Sequence, residues 1–120
     1  MDLAKYAALF LTESREHLNV CNQLLLEWER TPESRSPVGG LFRAVHTIKG
    51  MAATMGYAGV ADLAHRLESL LDALRGGRVA ADPGVFQLLF RSVDALGAGV
   101  EAAARGSDAA VEPELAAELD

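Results

Sequence analysis

Residues 41–75 read LFRAVHTIKGMAATMGYAGVADLAHRLESLLDALR, and this stretch decides the fold. Apolar side chains recur every three or four positions on both sides of a turn at residues 56–59, which carries two glycines. Such spacing predicts two amphipathic helices. Because the turn between them is short, the two helices should pack side by side and run antiparallel.

The register of this helical hairpin brings polar residues together. In an antiparallel pair, residues that are equally distant in sequence from Tyr57 lie level with each other. His46 is then level with Glu68, and Lys49 is level with His65. The sequence therefore predicts a histidine, a lysine and a carboxylate on one face of the hairpin.

The rest of the chain continues the helical pattern, and no segment alternates with the period of two that is typical of strands. Prolines after residue 30, the pair Gly76-Gly77 and the pair Asp82-Pro83 mark helix ends and starts. We expect helices over about residues 2–30, 38–55 and 59–75, and a fourth from about residue 82 through Val100. The predicted fold is all-α, an antiparallel up-down four-helix bundle.

Residues 105–120 are small and acidic, in contrast to residues 1–104. The run Glu112-Pro113-Glu114 has the composition of a helix start. This segment is interpreted either as an acidic linker, which we favour, or as the start of a short fifth helix.

Composition excludes several classes of protein. A net charge of −6, with eleven scattered Lys and Arg residues, argues against binding to nucleic acid. No apolar run approaches the roughly 20 residues that span a bilayer, and the N-terminus has no charged and then apolar leader. We therefore expect a cytoplasmic protein without membrane insertion.

The single cysteine, Cys21, falls on the apolar side of the first helix and is predicted to be a buried structural thiol.

His46 is the candidate reactive residue. It shares a helix face with Phe42, Lys49 and Gly50, and this face is rotated away from the apolar stripe, so the ring should reach solvent. A glycine inside a helix costs about 1 kcal/mol relative to alanine. The space beside Gly50 would accommodate a bulky group on the imidazole or an approaching partner protein.

These residue types suit the acceptance of a phosphoryl group. Glu68 can accept a hydrogen bond from Nδ1 of His46, which leaves Nε2 as the free nucleophile. Lys49 supplies positive charge for phosphoryl oxygens. The chain has no Gly-x-x-x-x-Gly-Lys-Ser/Thr loop, so it should receive the group from elsewhere rather than bind ATP itself.

Residues 41–57 resemble the phosphorylated helix of histidine phosphotransfer (HPt) domains, and most closely the N-terminal domain of CheA-type chemotaxis sensor kinases. Residues 64–72, AHRLESLLD, are similar to that family's third helix, where a histidine and a glutamate support the reactive histidine. The resemblance covers about residues 3–103 and assigns residues 1–104 to one HPt domain.

The resemblance implies a role for each site residue: phosphoacceptor for His46, orienting partner for Glu68, phosphoryl charge for Lys49, supporting network for His65, and clearance for Gly50. It implies no cofactor in this domain, with ATP and magnesium on a separate histidine kinase catalytic domain of the same chain or of a dimer partner. The phosphoryl group would then pass to an aspartate of a response-regulator receiver domain. The chain would be a fragment of a histidine protein kinase or, alternatively, a free-standing phosphorelay protein.

Two other functions fit parts of the pattern less well. A metal-binding helix bundle would draw on the three histidines and nearby glutamates. Di-iron bundles, however, use paired Glu-x-x-His motifs that point inward, whereas this chain has one His-x-x-Glu on an outer face. A degenerate bundle that serves only as a docking surface would not need His46, Lys49 and Glu68 in register.

Overall fold

The computed structural model describes residues 2–120, which form five helices: α1 (Leu3–Arg30), α2 (Ser36–Met55), α3 (Ala58–Arg75), α4 (Pro83–Ala104) and α5 (Pro113–Leu119). Helices α1 and α3 each pack against both α2 and α4, so the four long helices close into a ring. The predicted antiparallel four-helix bundle is confirmed. Over residues 2–120, no helix is both long and apolar enough to cross a membrane.

The turn between α2 and α3 sets the hairpin that carries the polar residues. Gly56 ends α2 in the left-handed conformation, with φ of 77°, which glycine adopts without steric cost. The N–H groups of Gly56 and Tyr57 then donate to the carbonyls of Ala53 and Ala52, which closes the last turn of α2. Because α3 begins at Ala58, the chain reverses within two residues.

The apolar stripes of the four long helices meet along the bundle axis. Besides Cys21, the apolar positions with at most 1 % exposure are Leu25, Leu41, Val45, Ile48, Ala52, Ala64, Leu67, Leu71, Leu89, Leu96, Val100 and Ala103. Burial of each large aliphatic side chain contributes about 1.5–3 kcal/mol. Cys21 is also fully buried, and burial raises the pKa of its thiol to about 12, so this cysteine has the properties of a structural thiol.

In the first turns of α1, Leu3 and Tyr6 are exposed, although their spacing of three and four residues up to Phe10 predicts an apolar stripe that faces the core. The rings of Phe10 and Tyr57 pack edge to face with their centroids 5.0 Å apart, which places residue 10 level with the α2–α3 turn. At 1.5 Å per residue, α1 begins about 10 Å beyond this contact. Its first residues therefore extend past the end of the neighbouring hairpin.

The segment after α4 is fixed to the start of α3. Both side-chain oxygens of Asp108 accept hydrogen bonds from α3, at 3.0 Å from the Gly59 N–H and 3.3 Å from the Val60 N–H. A Cβ at Gly59 would lie only 1.9 Å from the carbonyl oxygen of Ala109, so the close approach of the segment requires glycine. Beyond it, Leu115 of α5 is buried against the bundle. Residues 105–120 therefore include the short fifth helix, which was the alternative to the acidic linker.

We expect Asp108→Ala to lower the free energy of unfolding by about 1 kcal/mol, because two N–H groups at the start of α3 lose their acceptor. Urea denaturation followed by circular dichroism measures this difference. The control is Ser107→Ala, an exposed neighbour, which should change stability by less than about 0.5 kcal/mol. Equal stability of the two variants would show that Asp108 does not cap α3.

Candidate functional site

His46 and Glu68 meet across the α2–α3 hairpin. Nδ1 of His46 lies 2.8 Å from Oε2 of Glu68, and Nζ of Lys49 donates to Oε1 of Glu68 at 3.0 Å. Each oxygen of the carboxylate therefore has one partner on α2. The structure brings three of the predicted site residues into one hydrogen-bonded group.

The side chains of Glu68 and His46 differ in exposure in a way that suits a reactive imidazole. The Glu68 side chain is 14 % exposed, whereas the His46 side chain is 61 % exposed. Burial alone would raise the pKa of Glu68, but the hydrogen bonds and positive charge from Lys49 and His46 outweigh it. The pKa of Glu68 consequently lies below its usual value, and the carboxylate is ionised near neutral pH.

An ionised carboxylate determines which tautomer of the histidine fits. A carboxylate can only accept hydrogen bonds, so Nδ1 of His46 must carry the proton that it donates to Glu68. In the neutral ring, the lone pair then resides on Nε2. Among residues 2–120, Nε2 has no hydrogen-bond partner, so the nucleophilic nitrogen is the unengaged one.

Gly50 leaves open space one turn after His46. A Cβ at this position would meet no atom within 4 Å, so the packing of the bundle itself does not require glycine here. The position is exposed and lies on the same groove as His46. The free volume is therefore available to a group that comes from outside the described chain.

This groove between α1 and α2 is largely apolar and is lined by Tyr6, Leu9, Phe10, Glu13, His46, Thr47, Gly50, Met51, Thr54 and Met55. Leu9 is 54 % exposed and Tyr6 is 47 % exposed. Exposed apolar side chains that cluster in this way mark surfaces for interaction with other molecules. The groove thus places an apolar surface directly beside the imidazole.

His65 lies apart from this group. Its exposed side chain lines a depression with Arg66, Leu119 and Asp120, next to α5. Within the described chain, the His65 ring has no hydrogen bond to His46, Lys49 or Glu68. Lys49 turns instead to the carboxylate, because a partly buried negative charge is the stronger partner for an ammonium group.

No group of three or more His, Cys, Asp and Glu side chains in residues 2–120 has the arrangement to hold a metal ion. His46 has one carboxylate beside it, and that carboxylate already accepts two hydrogen bonds. The metal-binding alternative therefore gains no support from the geometry.

Two neighbours of the site have additional contacts that the sequence did not indicate. The Phe42 ring is nearly parallel to the His46 ring, and the guanidinium of Arg75, in the last turn of α3, lies over Phe42. The helical spacing predicts Phe42 on the His46 face but indicates no partner for Arg75. Arg75 lies three residues beyond the position that is level with Phe42 across the turn. The sequence would predict this pair if long side chains were allowed partners within one helical turn of the level position.

We expect Lys49→Met to raise the pKa of Glu68, because the effect of burial persists while one hydrogen bond and one positive charge are lost. The side-chain carboxyl ¹³C shift, followed by NMR over a pH titration, measures the midpoint. In the native chain the folded pKa is below the unfolded value of about 4.3. Glu68 therefore stabilises the fold above that pH, and the contribution is lost as the pH falls through the lowered pKa.

The exposed Lys5 supplies the matched control for this titration. Lys5→Met removes the same charge but should leave the Glu68 midpoint where it was. If Lys49→Met also left the midpoint in place, Lys49 would not be the group that keeps Glu68 ionised.

Comparison with known proteins places this geometry in a family. The chain matches the Hpt domain family over residues 5–119. It is 41 % identical over 121 residues to the chemotaxis protein CheA of Bacillus subtilis (strain 168), an alignment that covers all of this chain and 18 % of that protein. The chain thus spans about a fifth of the length of this curated relative.

Solved structures agree with the sequence relatives. The phosphorylated P1 domain of CheA3 from R. sphaeroides, in complex with CheY6, superposes with a TM-score of 0.86 at 30 % identity, covering 97 % of this chain and 93 % of that one. The CheA phosphotransferase domain from Thermotoga maritima superposes with a TM-score of 0.78 at 37 % identity, covering 82 % and 93 % of the two chains. The chain therefore belongs to the Hpt domain family and is a phosphotransfer domain of the CheA type.

Proposed function

We propose that His46 accepts the γ-phosphoryl group of ATP at Nε2 from a separate kinase catalytic domain and passes it to an aspartate of a response-regulator receiver domain. The observation that carries the proposal is the hydrogen bond between Nδ1 of His46 and the ionised Glu68, with the ring otherwise exposed. It leaves one nucleophilic nitrogen free and holds the other in place.

In the accepting step, the Nε2 lone pair attacks the γ-phosphorus, a P–N bond forms, and the bond to the leaving oxygen of ADP breaks. Positive charge develops on the ring during the attack. Glu68 stabilises that charge through the Nδ1 proton, in the manner of an orienting carboxylate. Lys49 is held on the same face by Glu68 and supplies positive charge for the incoming phosphoryl oxygens.

In the donating step, a carboxylate oxygen of the receiver domain attacks the same phosphorus, and the P–N bond breaks. The electron pair of that bond returns to Nε2, so His46 regains its starting state. The apolar groove between α1 and α2 and the open space at Gly50 give a partner domain room to approach the phosphohistidine. A related P1 domain was solved in complex with the partner CheY6, which supports a receiver domain as the recipient here.

The donor is assigned to a different domain because the sequence contains no loop of the phosphate-binding type. The chain corresponds to only 18 % of the Bacillus subtilis CheA protein. This share supports the proposal that the chain is the phosphotransfer part of a longer histidine kinase rather than a free-standing relay protein.

We expect His46→Gln to abolish labelling when the chain is mixed with radiolabelled ATP, magnesium and a CheA-type kinase catalytic domain. In the native chain the label should be acid-labile and base-stable, as a phosphoramidate is. His17→Gln is the matched control and should retain the label, because His17 lies on α1 away from Glu68. Label that persists in His46→Gln with unchanged helical circular dichroism would refute the assignment.

We expect Glu68→Gln to slow phosphorylation at least about tenfold, because a hydrogen bond to a charged group contributes about 1.5 kcal/mol and each 1.4 kcal/mol changes a rate tenfold. A neutral amide also loses the preference for a protonated Nδ1. Single-turnover labelling measures the rate, and Glu16→Gln on the exposed side of α1 is the control. A native rate in Glu68→Gln would mean that the carboxylate does not prepare the ring.

A further inference from the structure

The hydrogen bond to Glu68 fixes one atom of the His46 ring but leaves the ring plane free to rock. The bond joins Nδ1 to a single carboxylate oxygen, and rotation about that line moves Nε2 without breaking the bond. Transfer requires the nucleophile and the phosphorus to be aligned within narrow limits, and misplacement by about 1 Å can cost a hundredfold in rate. Packing restrains the ring little, because 61 % of the His46 side chain is exposed to solvent. A second restraint on the plane is needed.

Phe42 is placed to supply that restraint. It lies one helical turn before His46 on α2, and its ring is inclined by only 8° to the imidazole, with centroids 6.2 Å apart. Its side chain is partly buried and packs against the core of the bundle. Nearly parallel, offset rings at this separation are a favoured arrangement of aromatic pairs, and the arrangement depends on the tilt of each ring.

Phe42 is in turn covered by an arginine that has further hydrogen-bond partners. The guanidinium carbon of Arg75 lies 4.2 Å from the centroid of the Phe42 ring, which is a cation–π contact. Arg75 also donates to Asp72 at 2.8 Å, and its carbonyl accepts a hydrogen bond from Arg35 at 2.8 Å. The hydrogen bond from Arg75 lowers the pKa of Asp72 below its usual value, so this acceptor is charged. The contacts link the end of α3 to the aromatic ring beside His46.

We infer that Phe42 is a positioning residue for phosphoryl transfer, which holds the plane of the His46 ring while Arg75, anchored by Asp72, holds Phe42. This inference rests on the proposed role of His46 and adds a restraint that is independent of Glu68. Glu68 selects the tautomer, and the Phe42–Arg75 pair sets the direction in which Nε2 points. Neither residue needs to touch the phosphoryl group.

The test compares Phe42→Leu, which keeps an apolar side chain but removes the plane, with Phe42→Tyr, which restores the plane. We expect Phe42→Leu to lower kcat for labelling of the full chain by a CheA-type catalytic domain about tenfold, with KM for the chain within about twofold. NMR relaxation of the His46 ring carbons should show greater ring mobility in Phe42→Leu, and Phe42→Tyr should recover both properties. The NMR measurement of ring mobility needs no phosphoryl donor.

Native kcat in Phe42→Leu, a change confined to KM, a loss of kcat with unchanged ring mobility, or a Phe42→Tyr variant as impaired as Phe42→Leu would each overturn the inference. Labelling of His46 in the native chain is measured in parallel. If the native chain is labelled, failure of the Phe42 inference is distinguished from failure of the proposed function.

If Phe42→Leu loses its helical circular dichroism, Arg75→Met decides instead, since it leaves Phe42 in place. Arg75→Met should increase the mobility of both rings, and Arg30→Met should not. Equal mobility in these two variants would overturn the inference.

Discussion

The site depends on one partly buried carboxylate that joins two helices. Glu68 on α3 accepts one hydrogen bond from His46 and one from Lys49, both on α2. A carboxylate in this environment would be costly to keep ionised without donors, because burial disfavours its charged form. The same two bonds that compensate for burial also hold Nδ1 of the imidazole and the ammonium group of Lys49. The ionised state of Glu68 and the tautomer of His46 therefore arise from a single requirement, that the charge of Glu68 be satisfied.

That requirement is met only in one register of the hairpin. A shift of one residue along α3 would turn its side chains by about 100° around the helix axis and carry Glu68 away from α2. The short turn at Gly56 and the buried stripe of the hairpin exclude such shifts. Asp108 adds a further connection at the start of α3, from a segment that lies outside the four long helices. The bundle thus serves as a rigid frame for a few side chains at its surface, while His46 itself stays exposed.

The fold was predictable from sequence because its determinants are local and repetitive. Apolar spacing identified the four long helices, and a reversal within two residues made α2 and α3 antiparallel. Counting residues outwards from Tyr57 also predicts that His46 and Glu68 lie level with each other. The partner of Lys49 did not follow, because a lysine side chain spans more than a turn and selects the strongest acceptor within reach rather than the level residue. The contact of Arg75 with Phe42 did not follow either, because Arg75 lies three residues beyond the position level with Phe42 and reaches back through a long side chain. The bond from Asp108 to α3 comes from a segment outside the periodic helical pattern.

The position of one proton on His46 decides whether Glu68 prepares the ring to accept a phosphoryl group. Long-range ¹H–¹⁵N correlation NMR of the ¹⁵N-labelled chain distinguishes the two neutral tautomers of the His46 ring. We expect the proton on Nδ1, bonded to Glu68, and an unprotonated Nε2. A spectrum in which the major form carries its proton on Nε2 would contradict the orientation of His46 by Glu68.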